Sequence, residues 1–391
     1  MNRRLTQLRD GMASSDLDAI IATSYASFYY LTGVPIFPYG RPMAALVPRE
    51  GEPTIVASVI EQAHARTQAY ATDLRFYWDY NPEPEYENPR PPPVSLVHHL
   101  RCALAERNLL RARIGIEERM LPLEQHSNLC AALPRATLVG ASDLVDRLRI
   151  VHSDEELHLI RSADKLADLG LATFLDTVAP GATAEGLARS AREQMIDAAL
   201  TQHPGAPFFA RVDPGLGGTA KGAGHSYWTT WNHDDRAQAG QLLTPVVSAW
   251  LWGYDGNVER TIWIGEPTDP VRRCFDVMVE ANETAIAAIR PGVTLAQIDR
   301  VCKEVLARHG FSTRTGSGVG RGIADYQANA RELLVDVRLY QDLAVTPGMV
   351  FSIEPNIELD GVGTFRHCNT VIVTATGCEV DSSLPRGPIW R

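Results

Sequence analysis

The sequence predicts a protein of the α/β (α+β) class with two domains, residues 1–150 and 151–391. Three observations lead there. A chain of 391 residues exceeds what a single hydrophobic core usually supports. Short apolar runs alternate with helical stretches up to about residue 150, where the capping signal Ser153-Asp-Glu-Glu156 announces a new helix. Beyond it, the pattern helix, Pro-Gly turn, Thr-capped helix occurs twice, at Pro180-Gly-Ala-Thr183 and Pro291-Gly-Val-Thr294.

In the first domain, the N-terminal residues read as an amphipathic helix: they carry charge but no apolar segment follows, as a secretory signal would need. Leu17-Asp-Ala-Ile-Ile-Ala-Thr23, Met43 to Pro48 and Thr54 to Ala57 are strand candidates, the last two separated by the turn Arg49-Glu-Gly-Glu-Pro53. Phe28-Tyr-Tyr-Leu-Thr-Gly33 predicts a short helix ending on its glycine. Proline-rich residues 81–93 predict an irregular surface loop. Helix-like Leu96 to Leu110, strand-like Arg113 to Glu117, and a further helix and strand complete the unit.

In the second domain, Leu157, Ile160, Ala163, Ala167, Gly170 and Phe174 form the buried stripe of the opening helix. The helices expected at 155–178 and 184–200 find counterparts at 270–289 and 295–309, and Thr294 with Gln297 makes a second capping box. Two α/β halves related by an approximate two-fold, with a cleft between their sheets, follow from this repeat. Residues 246–265 predict a hairpin turning at Gly253-Tyr-Asp-Gly256, with Asn257, Glu259 and Thr261 on one face of its return strand.

Composition narrows the function. With 37 Lys plus Arg against 47 Asp plus Glu, the formal charge of -10 disfavours nucleic acid or an anionic membrane as partner. No apolar run reaches the roughly 20 residues of a membrane span, so a cytoplasmic protein is expected. The six cysteines show no CxxC pair or zinc spacing; Cys274 and Cys302 sit in apolar helical settings and read as buried free thiols.

Candidate chemistry gathers in three β-like stretches. Gly348-Met-Val-Phe-Ser-Ile-Glu354 is an apolar strand ending on a carboxylate, which is costly unless a cation or hydrogen-bond donor meets it. Glu259 lies among apolar residues on the return strand, and His225 and His233 stand in the aromatic stretch 222–233. One histidine with two carboxylates suffices for general acid–base catalysis near neutral pH; either histidine alone is as readily structural. No pair of histidines or aspartates has the spacing of a metal centre.

Phe28-Tyr-Tyr-Leu-Thr-Gly33, Ser153-Asp-Glu-Glu-Leu157, Arg260-Thr-Ile-Trp-Ile-Gly265, Pro347-Gly-Met-Val-Phe-Ser-Ile-Glu-Pro355 and Thr370-Val-Ile-Val-Thr374 jointly resemble the creatinase/aminopeptidase P/prolidase family over essentially the whole chain. The resemblance implies an N-terminal ribonuclease H-like, creatinase-type domain and a C-terminal pita-bread catalytic domain with a pseudo-two-fold internal repeat. The metallopeptidases of that family hold two metal ions through Asp, Asp, His, Glu and Glu. Carried over, these positions are Val246, Asn257, Ser317, Glu354 and Cys368, so one anionic ligand of five remains. The resemblance therefore implies no metal and no other cofactor.

Gly253-Tyr-Asp-Gly-Asn-Val-Glu259-Arg-Thr261 is similar to the corresponding stretch of the metal-free creatinase branch, and Tyr39-Gly-Arg41 to a segment that there enters the partner subunit's active site. This implies a homodimer that hydrolyses a non-peptide C–N bond, amidine- or guanidine-like, in a small carboxylate-bearing zwitterion, as creatinase or an ectoine hydrolase would. Glu259 and Glu354 would hold the substrate's cation, His225 would activate water with His233 as second choice, and Arg41, helped by Arg331, would clamp the carboxylate. Cys368 would line the pocket. Rival readings are a lyase or isomerase acting on a small zwitterion, a non-catalytic binding protein, and, more remotely, a metal-dependent Xaa-Pro peptidase.

Overall fold

The computed structural model describes residues 2–36, 41–78, 95–216, 233–313, 315–323 and 332–391. The proline-rich stretch 81–93 and most of the aromatic stretch 222–233 lie outside these residues. The chain forms two compact units, Met1–Arg149 and Ile150–Arg391. No helix among the described residues is long and apolar enough to cross a membrane.

The N-terminal unit is built on a six-stranded mixed sheet ordered β4-β3-β2-β1-β5-β6. Its strands are β1 (Ala19–Ala22), β2 (Ala44–Pro48), β3 (Thr54–Ser58), β4 (Asp73–Tyr77), β5 (Arg113–Ile116) and β6 (Thr137–Gly140). β1, β2 and β3 pair antiparallel, whereas β3–β4, β1–β5 and β5–β6 pair parallel. An antiparallel meander continued by parallel strands is the ribonuclease H-like arrangement. β1, β2 and β3 are buried along their whole length, which explains why they read as continuous apolar runs rather than as alternation. Among the described residues, six α-helices accompany the sheet: α1 (Asn2–Ser14), α2 (Tyr25–Thr32), α3 (Gln62–Gln68), α4 (Leu96–Glu106), α5 (Leu123–Ala132) and α6 (Ser142–Arg147). Ser24 caps the N-terminus of α2, and Gly33 ends it in the left-handed conformation, as expected.

The C-terminal unit has the pita-bread fold. Its first half comprises α7 (Asp154–Thr177), α8 (Ala184–Gln202), β7 (Phe208–Asp213), β8 (Leu242–Leu243), β9 (Val246–Leu251), β10 (Tyr254–Glu259) and β11 (Ile262–Trp263). The second half holds α9 (Asp269–Ala288), α10 (Leu295–Arg308), β12 (Gly318–Val319), β13 (Asp336–Val337), β14 (Val350–Ile353), β15 (Asn356–Leu359), β16 (Gly363–Arg366), β17 (Asn369–Val373) and β18 (Cys378–Val380). The sheets β10-β9-β7 and β14-β17-β18 are each antiparallel.

α7 opens on the expected capping box: Ser153 Oγ accepts from Glu156 N, and Glu156 reaches back to Ser153 N at 2.7 Å. The internal repeat is equally concrete. Gly181 and Gly292 take φ of 90° and 91°, a conformation glycine adopts without a Cβ penalty. Their N–H groups donate to Ala237 O and Val345 O, and Thr183 and Thr294 cap α8 and α10.

One local expectation fails. The hairpin turns two residues at Trp252-Gly253, with φ of 51° and 76°, rather than over Gly253–Gly256. Gly256 lies inside β10 because a Cβ there would meet the backbone of Ala163 and Asp164 in α7. A glycine for close approach was read as a glycine for a bend.

Candidate active site between the two halves of the C-terminal unit

The two sheets meet where β10 ends. Glu259 N donates to Cys368 O at 3.4 Å and Cys368 N donates to Glu259 O at 3.2 Å, one bridge that joins the halves. Glu354 follows β14, and its N–H donates to Ser317 O at 2.8 Å. These contacts bring Glu259, Glu354 and Cys368 together, with one carboxylate oxygen of each glutamate and the cysteine Sγ all within 4.8 Å of one another. Side-chain exposure separates the carboxylates: Glu354 retains 14% and Glu259 only 3%. Glu354 is the one an incoming molecule can touch.

Two arginines that sequence reasoning did not place in the site dominate its electrostatics. Arg366, at the end of β16, meets Glu259 with both arms of its fork, Nε on Oε2 at 2.5 Å and Nη2 on Oε1, while Nη1 lies 3.9 Å from Glu354. Glu259 thus has a cationic partner within the protein. Burial still pushes its carboxyl up, to about 7; Arg366 opposes that and nearby Glu354 reinforces it. Arg321, just beyond β12, donates from Nη1 to Asp255 Oδ2 at 2.8 Å and from Nη2 to Asn257 Oδ1 at 2.9 Å. Nη2 also lies 3.5 Å from Cys368 Sγ. Asp255, Asn257 and Glu259 alternate along β10 and so share a face; that period-two spacing was the available signal for Asp255.

The Cys368 thiol is buried and donates toward Asn257 Oδ1 at 3.5 Å. Burial, with Glu354 adding to it, pushes the thiol well above the ordinary cysteine range, so it is a neutral group and no nucleophile. Ser317 turns its hydroxyl to Asp299 Oδ1 at 2.6 Å, and Asp299 is held by Lys303 at 2.5 Å. Arg260 is fully buried and donates to the carbonyls of Glu259, Cys368 and Pro385. Beside it, burial pushes His367 down to about 3. Its Nδ1 accepts from Thr261 N–H at 3.1 Å, which leaves Nε2 to donate to Gly387 O at 3.1 Å.

His233 sits on the surface with its side chain 71% exposed and Nδ1 3.0 Å from Glu185 Oε2 on α8. Glu185 N, at the start of α8, also donates to the His233 carbonyl at 3.3 Å. Arg41 belongs to the N-terminal unit, just before β2. His225, Tyr39 and Arg331 lie outside the described residues.

The donor set does not suit a pair of divalent ions. Of the five positions, Val246 and Asn257 offer no carboxylate, Ser317 is committed to Asp299, and Cys368 is a protonated thiol. Both oxygens of the added carboxylate, Glu259, are taken by Arg366, and the Arg321 guanidinium already stands beside Asn257 and Cys368. An ion placed there would meet fixed positive charge and no bridging carboxylate.

Residues 158–375 match metallopeptidase family M24, and residues 4–151 match the creatinase/prolidase N-terminal domain. Among curated proteins, the chain is 24% identical to creatinase from Bacillus sp. (strain B-0618), covering 99% of this chain and 92% of that one. It is 28% identical to the probable dipeptidase PepE of Mycobacterium tuberculosis (strain ATCC 25618 / H37Rv), over 98% and 94% of the two chains. Among solved structures, the prolidase from Thermococcus sibiricus superposes with a TM-score of 0.81 at 19% identity, covering 100% of this chain and 99% of that one, a likeness of fold. The chain belongs to metallopeptidase family M24 and carries that family's creatinase/prolidase N-terminal domain.

Proposed function

We propose that the protein is a metal-independent hydrolase of a non-peptide C–N bond, amidine- or guanidine-like, in a small zwitterion that also carries a carboxylate. The observation that carries this reading is the pairing of one accessible carboxylate, Glu354, with guanidinium groups where a dinuclear centre would need anions. In this reading Glu354 receives the substrate's cationic head by a charge-assisted hydrogen bond. Water adds to the amidine carbon as the base takes its proton; that proton then passes to the leaving nitrogen, and a fixed carboxylate stabilises the positive charge localised there as the C–N bond breaks. Glu259 acts through Arg366, holding its guanidinium 3.9 Å from Glu354. The water needs a base, and His225 is the residue assigned to that step.

A dipeptidase reading draws on the PepE relative and on the Xaa-Pro dipeptidase of Lactobacillus helveticus, 23% identical over 95% of each chain. One experiment separates the two. Metal-stripped enzyme is assayed against amidine and guanidine zwitterions and against Xaa-Pro dipeptides, in heavy-oxygen water. Turnover of the zwitterions with one heavy oxygen entering the product, undiminished by EDTA, is expected; Glu354→Gln should lower it about a thousandfold. Hydrolysis of Xaa-Pro dipeptides that needs added manganese or cobalt would replace this proposal with the dipeptidase. Product without heavy oxygen would point to elimination or rearrangement.

A further inference from the structure

Arg321 belongs to the second half of the C-terminal unit, and its backbone N–H is fixed to Val350 O of β14 at 3.0 Å. Its side chain reaches into the first half, where Asp255 of β10 receives Nη1, and both partners are almost fully buried, at 8% and 1% exposure. Nη2 touches Asn257 and Cys368, two of the five positions that hold metal in relatives. The guanidinium therefore stands where an ion's ligands would converge, and Asp255 supplies a balancing charge from outside that set.

We propose that Arg321 is the resident cation of this site, a tethered guanidinium that takes over the ligand contacts and the positive charge of a divalent ion. The proposal deepens the metal-free reading above and rests on it. A guanidinium is planar, carries a single charge and has no open coordination position. It can hold Asn257, Cys368 and the field at Glu354 in place, yet it cannot bind a water and acidify it as a metal does. Arg321 is accordingly a positioning residue. The binding of the two halves to each other also runs through it, because removing one member of a buried pair leaves the other charge uncompensated.

The test uses the full chain and reads stability and binding rather than turnover. Arg321→Ala should melt lower than the wild type and regain stability in methylguanidinium chloride, but not in tetramethylammonium chloride of equal strength. At about ten times the dissociation constant a rise of roughly 2–4 °C is expected, while the wild type stays unmoved. Equal responses to the two salts, or a variant as stable as the wild type, would overturn the proposal. Should Arg321→Ala yield no folded protein, the double variant Arg321→Met with Asp255→Asn decides: recovery of folding supports charge compensation, and a second failure defeats it. Equilibrium dialysis of the wild type against manganese completes the set. Bound manganese would sink the resident cation, whereas absence of zwitterion turnover with no manganese bound would defeat only the functional reading.

Discussion

In the first half of the C-terminal unit, Gly181 rests its N–H on Ala237 O and Thr183 caps the helix that follows. In the second half, Gly292 rests on Val345 O and Thr294 caps its helix in the same way. The turn and the threonine cap recur in both halves, yet the chemistry does not. β10 contributes Asp255, Asn257 and Glu259, so the polar face of the first half is acidic and amide. The second half supplies two cations, Arg321 and Arg366, together with the accessible Glu354. What the two halves share is local and backbone-borne, whereas their facing side chains carry complementary charges.

The largest effect should come from the close approaches that seat each half. A Cβ at Gly256 would meet α7 backbone, and one at Gly318 would meet the carbonyl of Ser352. Backbone cannot move aside as a flexible side chain can, so Gly256→Ala and Gly318→Ala should each cost on the order of 4 kcal/mol in urea unfolding. A loss under about 1 kcal/mol at either would show that half to be looser than its partner.

Next comes the ion pair that crosses between the halves. Arg366→Met strands Glu259 in a buried place and should cost about 3 kcal/mol. Adding Glu259→Gln should return most of it, since a neutral pair needs no counter-charge. A double variant no better than the single would mean that packing, not charge, joins Arg366 to β10.

How much of this was readable in advance follows the same division. The helices, their caps and the repeat were legible because the signals lie three or four residues apart, or recur as the same turn and cap. Glu354 was legible as a carboxylate closing an apolar strand, and the structure does bring it together with Glu259 and Cys368. The partners of those carboxylates were not legible. Arg321 meets Asp255 across 66 positions and Arg366 meets Glu259 across 107, and nothing local to either arginine marks it as a counter-ion. The ion pair of His233 with Glu185, 48 positions away, was no more legible, because the aromatic stretch around the histidine carries no sign of a partner on α8.

A smaller effect concerns pH. His367 stays neutral because burial and the nearby Arg260 depress it from 6.5 to about 3. A depressed histidine contributes stability that is present above 6.5 and is lost as pH falls from there toward 3. The raised acids run the other way: Asp213, lifted by burial to about 6, and Glu259, lifted to about 7, contribute most below their ordinary values and lose it as pH rises. The wild-type curve alone would therefore mix opposing slopes. Comparison with His367→Gln isolates the histidine: the stability gap between the two proteins should shrink by on the order of 2 kcal/mol from about pH 7.5 to about pH 5. An unchanged gap would mean that His367 titrates normally and that the junction beneath β11 is wetter than its burial implies.

The smallest effect tests the recurring framework itself. Thr183 Oγ1 accepts from Gly186 N at 3.1 Å, and Thr294 Oγ1 accepts from Gln297 N at 3.2 Å, so each Thr→Ala should cost about 1 kcal/mol. The halves differ in what remains. After Thr294→Ala, Gln297 Oε1 can still accept from the backbone N–H of residue 294, a bond of 2.9 Å that uses no threonine side-chain atom. The first half has glycine at the matching place and nothing to reach back. Thr183→Ala should therefore be the costlier change by a few tenths of a kcal/mol, and Gln297→Ala in the Thr294→Ala background should erase that difference. Paired urea titrations resolve it, and a costlier Thr294→Ala would show that the reciprocal bond needs the threonine hydroxyl to hold the turn in shape.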